Sequence, residues 1–150
     1  MPTLIDPRGA RVAAALTSVV LALVLLTAPG PVSTALLAVQ TAVFAVGAFV
    51  GVQHTPYALL FRTLIRPRLG PPAELEDAAP PRFAQAVGLG FALVGLVAVL
   101  SGVTTLGLVA VGLALVAALL NAAVGICLGC EIYLLAKRVS GTRTTVATSN

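Results

Sequence analysis

The sequence predicts an all-α integral membrane protein: a four-helix bundle of two tandem transmembrane hairpins, with both termini in the cytoplasm. Three observations predict it. Of 150 residues, 59% are hydrophobic and only 9% are charged, against about 25% charged in an ordinary soluble domain. Four apolar stretches have the length of a bilayer crossing. All nine Lys and Arg residues lie outside the two short connections within the hairpins. A soluble domain this small cannot hide so much apolar surface. That excludes a cytosolic enzyme, a nucleic-acid binder and a disordered linker, despite the net charge of +4.

The uncharged apolar runs are Val12–Ala28, Val32–Val52, Phe83–Val103 and Leu106–Ile126. The spans are drawn at about 11–28, 32–53, 83–103 and 106–129. A helix needs roughly 20 apolar residues to cross the hydrocarbon core. The first run is short, and Ala10 with the snorkelling stem of Arg11 extends it. Thr27 to Pro31 and Ser101 to Thr105 read as tight uncharged turns. The N-terminus, the loop 54–82 and the polar tail 140–150 carry the cations, which by the positive-inside rule makes them cytoplasmic. Within the loop, Pro56 to Arg66 is apolar with Arg62 and Arg66 on one face. It reads as a short helix in the interface plane. The Pro-rich stretch from Arg66 to Pro81 stops it.

Two segments recur. Asp6 to Ala13 and Asp77 to Ala84 both read Asp, four residues, Arg, any residue, Ala, and each heads an odd-numbered span. Tyr57 to Arg62 resembles Tyr133 to Arg138 at the other end of each hairpin. The match predicts two copies of one hairpin in the same orientation. Asp6 and Asp77 are expected to complement the helix dipole and to pair with Arg11 or Arg82. The first 35 residues also resemble a signal peptide, but cleavage would destroy the repeat, so the first span is expected to stay.

Cys127-Leu128-Gly129-Cys130 is the only motif with chemical content. At i and i+3 on a helix, two cysteines share a face. A reducing cytoplasm argues against a permanent disulfide. Three readings stay open: redox or sulfur chemistry, two small packing residues, or half a metal site. A reactive pair normally sits at a helix N-terminus. A long helix ending past the pair would instead give it the negative end and a sluggish thiol, with Glu131 adding to the effect, unless Gly125 or Gly129 breaks the helix. With the repeats aligned on Tyr57 and Tyr133, His54 falls opposite Cys130, so His54 and Glu131 are possible modulators. Cys127, Cys130, His54 and Glu131 would also make the four ligands zinc wants. Gly47, Gly51, Ala118, Ala122, Gly125 and Gly129 form small-residue seams suited to helix packing or a homo-oligomer. Asn121 lies beside one seam. There is no phosphate loop, no Ser/His/Asp set and no intramembrane charge for a proton-coupled transporter.

The chain resembles the small four-helix membrane proteins of domain-of-unknown-function family 4395, frequent in actinobacteria and similar in layout to DoxX-like membrane proteins. The residues that carry the resemblance are Ile5 to Arg8, Pro56-Tyr57, Arg66 to Pro72, Leu75 to Asp77, Pro81 to Gln85 and Cys127 to Glu131. The resemblance implies thioredoxin-like proteins or thiosulfate sulfurtransferases as partners, which suits a thiol role for the cysteines. The expectation is therefore a plasma-membrane thiol–disulfide or sulfur-transfer component, an accessory to an oxidoreductase, with no bound cofactor and the lipid bilayer as its surroundings. The alternatives are a scaffold that recruits a cytoplasmic partner, or a small metal-binding membrane protein.

Overall fold

Lipid offers a backbone no hydrogen-bond partner, so each apolar stretch must satisfy itself as a helix. The computed structural model describes residues 2–141. Of the expected polar tail only Ser140 and Gly141 lie within them. The first helix, α1, runs Pro7–Leu26. Asp6 caps it, its carboxylate accepting the Arg8 backbone N–H at 3.0 Å, and Pro7 opens it with a ready-set φ. A short turn leads to α2, Pro31–Ala45, which continues as one π-helical turn, Val46–Val50. After Gly51 comes a turn, Val52–His54, and then a helical run: α3 (Pro56–Leu60), a π turn (Phe61–Ile65) and α4 (Arg66–Leu69). The expected helix after Pro56 is thus present, and it passes Pro67 to end at Leu69. The bundle is completed by α5, Ala79–Leu100, and α6, Thr104–Val124. A last helix, α7, spans Leu128–Ser140.

Four helices are long and apolar enough to cross a membrane: Pro7–Leu26, Pro31–Val50, Ala79–Leu100 and Thr104–Val124. They pack as a four-cornered bundle, with α1 against α2 and α6, and α5 against the same two. Leu21, Val24, Leu37, Phe44, Ala92 and Val111 form the core. The outer faces are apolar as well, with Val19, Leu23, Val97, Leu113 and Val116 exposed. Such a surface is unfavourable in water and suited to lipid. Among the described residues Gln40 is the most deeply buried polar side chain. Gln40 accepts the Tyr57 hydroxyl at 2.7 Å, which ties α2 to α3.

Two arginines set the charged end of the bundle. Arg82 donates to the carbonyls of Ala48 (2.7 Å) and Phe49 (2.9 Å). Arg11 donates to the carbonyls of Ala122 (3.3 Å) and Ala123 (3.4 Å). The last carbonyls of a helix lack partners and carry the negative end of its dipole, so a guanidinium satisfies both needs. In each pair the carbonyls lie three and two residues before a glycine at positive φ, Gly51 at 136° and Gly125 at 76°. The expected pairing of Asp6 and Asp77 with these arginines is therefore corrected. Asp6 instead holds Arg8 at 2.8 Å, and Asp77 accepts the Ala79 backbone N–H at 2.9 Å. The segments ahead of α1 and α5 also pair, as antiparallel β1 (Leu4–Ile5) and β2 (Glu76–Asp77). All the described charged side chains lie beyond or at this end of the bundle.

The glycine seams pack within the chain. A Cβ on Gly47 would stand 2.6 Å from the Gln85 side chain, and one on Gly129 would stand 2.5 Å from Ala84. Gly51 and Gly125 serve as helix stops. These four positions thus have uses inside one molecule.

Candidate functional site: a cysteine pair on a cavity wall

Gly125 decides the environment of the cysteines. Its left-handed backbone ends α6, a conformation that a Cβ would disfavour. The fourth span therefore stops at Val124, short of the 129 expected. Two residues later the chain enters α7, and Cys127 is its N-cap in an extended conformation. The Cys127 Sγ accepts the backbone N–H of Cys130 at 3.3 Å. The break at Gly125 is the exception that the sequence left open, so the sluggish thiol expected of an unbroken helix does not apply. The pair opens a helix, where the dipole and free N–H groups favour a thiolate.

The two thiols are pushed apart. The neighbouring Cys130 thiol does most to bring the Cys127 thiol down to about 7. Burial opposes this, and so does the charge of Glu131, while the backbone N–H groups of Cys130 and Gly129 reinforce it. The Cys130 thiol goes up, first through the neighbouring Cys127 sulfur, then through burial and the nearby charges, including Glu76 and Glu131. The arrangement makes one sulfur a nucleophile near neutral pH and keeps a proton on the other.

Both cysteines line a cavity of about 920 Å3 at the charged end. Its walls come from β1 and β2, the first turns of α1 and α5, the turn after α2, the helical run that follows it, the end of α6, and α7. Arg11, Gln53, Gln85 and Asn121 contribute polar groups. Glu131 also lines it, at an exposed position on α7. His54 is exposed and lies off this wall, whereas its neighbours Gln53 and Thr55 are on it. Among the described residues, no three His, Cys, Asp or Glu side chains converge to hold a metal ion. The four-ligand set of Cys127, Cys130, His54 and Glu131 is therefore not assembled. The alignment that placed His54 opposite Cys130 fails for a local reason. The turn after Gly51 reaches its cap, Thr55, in four residues, while the turn after Gly125 reaches Cys127 in two. Thr55 caps α3 by accepting the Ala58 N–H at 3.2 Å, the same i+3 contact that Cys127 makes.

Three wall residues were missed by sequence reasoning. Gln53 and Gln85 carry no local signal, because each meets the cavity only through the packing of distant segments. Arg11 was expected to extend the first span and to pair with an acid, and its target lies 111 residues along the chain. The cap at Cys127 was hidden because the usual cap signals are Ser, Thr, Asp and Asn. No curated protein and no solved structure matches the chain. A family model described as a domain of unknown function (DUF4395) matches residues 5–138, from β1 into the last turns of α7, and the chain belongs to that family.

Proposed function

We propose that this protein is a membrane thiol–disulfide component, with Cys127 as the nucleophile and Cys130 as the resolving thiol. The observation that carries the reading is the Cys127 sulfur at the N-cap of α7, accepting the Cys130 N–H on a cavity wall. Its thiolate attacks one sulfur of a partner disulfide, and the other partner sulfur leaves as a thiolate. Cys130 then loses its proton and attacks Cys127, which frees the second partner sulfur and leaves the Cys127–Cys130 disulfide. Glu131 opposes a second negative charge and so delays ionisation of Cys130. Run towards a persulfide, the same nucleophile would carry sulfur, and a thiosulfate sulfurtransferase would be the donor.

The positive-inside rule places the charged end, both termini and the cysteines on the cytoplasmic side of the plasma membrane. A soluble thioredoxin-like protein would meet this face at Arg62, Arg66 and Arg68. We also read the chain as two copies of one hairpin. The equal spacing of the Arg11 and Arg82 contacts from Gly125 and Gly51 supports this, as does the shared cap role of Cys127 and Thr55. On that reading one copy carries the thiols and the other does not.

A gel-mobility shift with a maleimide reagent on intact membranes tests the proposal, with a chelator control. A disulfide within the chain should form with oxidant, clear with thioredoxin, and vanish in Cys127→Ser. Two thiols that always label freely and never pair would overturn it in favour of a scaffold. Labelling that requires chelation would overturn it in favour of a metal site.

A further inference from the structure

The cavity wall bears on what the dithiol meets. Three arginines line it: Arg11, Arg62 and Arg66. Four carboxylates line it too, but Asp6 is paired with Arg8 at 2.8 Å. Leaving the thiols aside, the three arginines and the three remaining carboxylates balance in formal charge, so no excess of either sign draws in an ion. Arg11 is also engaged with the α6 carbonyls. What remains are three side-chain amides, Gln53, Gln85 and Asn121. Among the described residues none of the three makes a side-chain hydrogen bond. Each offers two donors and an acceptor. Half-buried polar groups on a cavity wall gain from a ligand that matches them. The volume of about 920 Å3 suits a small molecule.

We propose that this cavity binds a neutral low-molecular-weight disulfide bearing amide groups, which the Cys127–Cys130 dithiol reduces. The inference rests on the thiol reading above. The Cys127 thiolate attacks one substrate sulfur, the substrate S–S bond breaks, and one thiolate leaves. Cys130 releases its proton and attacks Cys127, forming the protein disulfide and expelling the second thiolate. The two protons of the dithiol end on the two product thiols, and two electrons pass to the substrate. A soluble dithiol of the thioredoxin class returns the protein to its reduced form. The amides orient the substrate, and the balanced charges select against ionic disulfides.

The test uses the full chain, reduced, in lipid nanodiscs. Three probes differ in charge: the disulfide of N-acetylcysteine amide (neutral), oxidised glutathione (anionic) and cystamine (cationic). Each rate is divided by that probe's rate with a free small dithiol. The neutral probe should saturate and lead both others by about tenfold or more. Asn121→Leu and Gln85→Leu should each lower kcat/KM for it by about tenfold, the size of one lost hydrogen bond. The alkylation midpoint of Cys127 should not move in either variant. Gln85 packs on Gly47, so Asn121→Leu is the deciding variant if Gln85→Leu unfolds. Equal normalised rates, a lead for the anionic probe, or a lead that survives both amide variants would overturn the substrate class. The thiol reading fails separately, by an ordinary alkylation midpoint and no internal disulfide.

Discussion

Replacing Cys130 by Ala should raise the alkylation midpoint of Cys127. The neighbouring Cys130 thiol is the main influence that brings the Cys127 thiol down to about 7. Without it, the N–H groups of Cys130 and Gly129 still favour the thiolate, but burial and Glu131 oppose them. The midpoint should move towards the ordinary thiol value of about 8.5. At pH 7 the ionised fraction would then fall from about one half to roughly 3%. A more basic thiolate is intrinsically more nucleophilic, by roughly fivefold for such a shift. The net rate at pH 7 should therefore drop only about threefold, so the midpoint is the sharper readout. Iodoacetamide labelling of the full chain from pH 5.5 to 9.5, resolved by peptide mass spectrometry, would measure it. Cys130→Ser keeps a hydroxyl donor and should stay nearer the wild type. A midpoint that stays at about 7 in Cys130→Ala would refute the assigned cause. A wild-type midpoint of about 8.5 would refute the lowered Cys127 thiol.

Other outcomes follow from the same contacts. Arg11→Gln and Arg82→Gln should each destabilise the fold by about 1–3 kcal/mol, read as a lower Tm in detergent. Only Arg11→Gln should raise the Cys127 midpoint, because only α6 leads into the cysteines, and equal shifts in both variants would point to general loosening. Gly129→Ala would press a Cβ to 2.5 Å from the Ala84 Cβ and 2.6 Å from its backbone Cα. It should cost about 1–3 kcal/mol by lifting α7 from α5, and an unchanged Tm would contradict the close approach. Stability should also depend on pH. Cys127 titrates at about 7 in the folded state and at about 8.5 unfolded. Its contribution is present above the unfolded value and is lost as pH falls through about 7. The raised Cys130 acts in the other sense, with its contribution full below about 8.5 and lost only at higher pH. Between about pH 7 and 8.5 the Tm of the wild type should therefore rise, while that of Cys127→Ser should stay flat. A flat wild-type profile would contradict the depressed thiol.

The membrane helices were legible because lipid imposes a rule that acts on each segment alone. A run of apolar residues must close its own hydrogen bonds, so composition and length settle the element. The uncharged turns and the one-sided arginines were legible for the same reason. The cysteine pair was visible as a motif, and so was the possibility of a break at Gly125. What the motif can do was not visible. A lone glycine is tolerated within a helix, so the sequence leaves open whether α6 stops at Val124 or runs on to 129. The tertiary structure decides it. Arg11 arrives from the first helix to satisfy the carbonyls of Ala122 and Ala123, and Gly129 lets α7 dock on Ala84. Those contacts turn the same four residues from the tail of one helix into the head of another. The dipole at the sulfur is thereby reversed. His54 shows the converse, since its depth in the chain was readable but the two-residue difference between the turns was not. Local physics thus determined the elements of this protein. The sign of the field at Cys127 and the makeup of its cavity depend on side chains that are distant in sequence and meet only when the bundle closes.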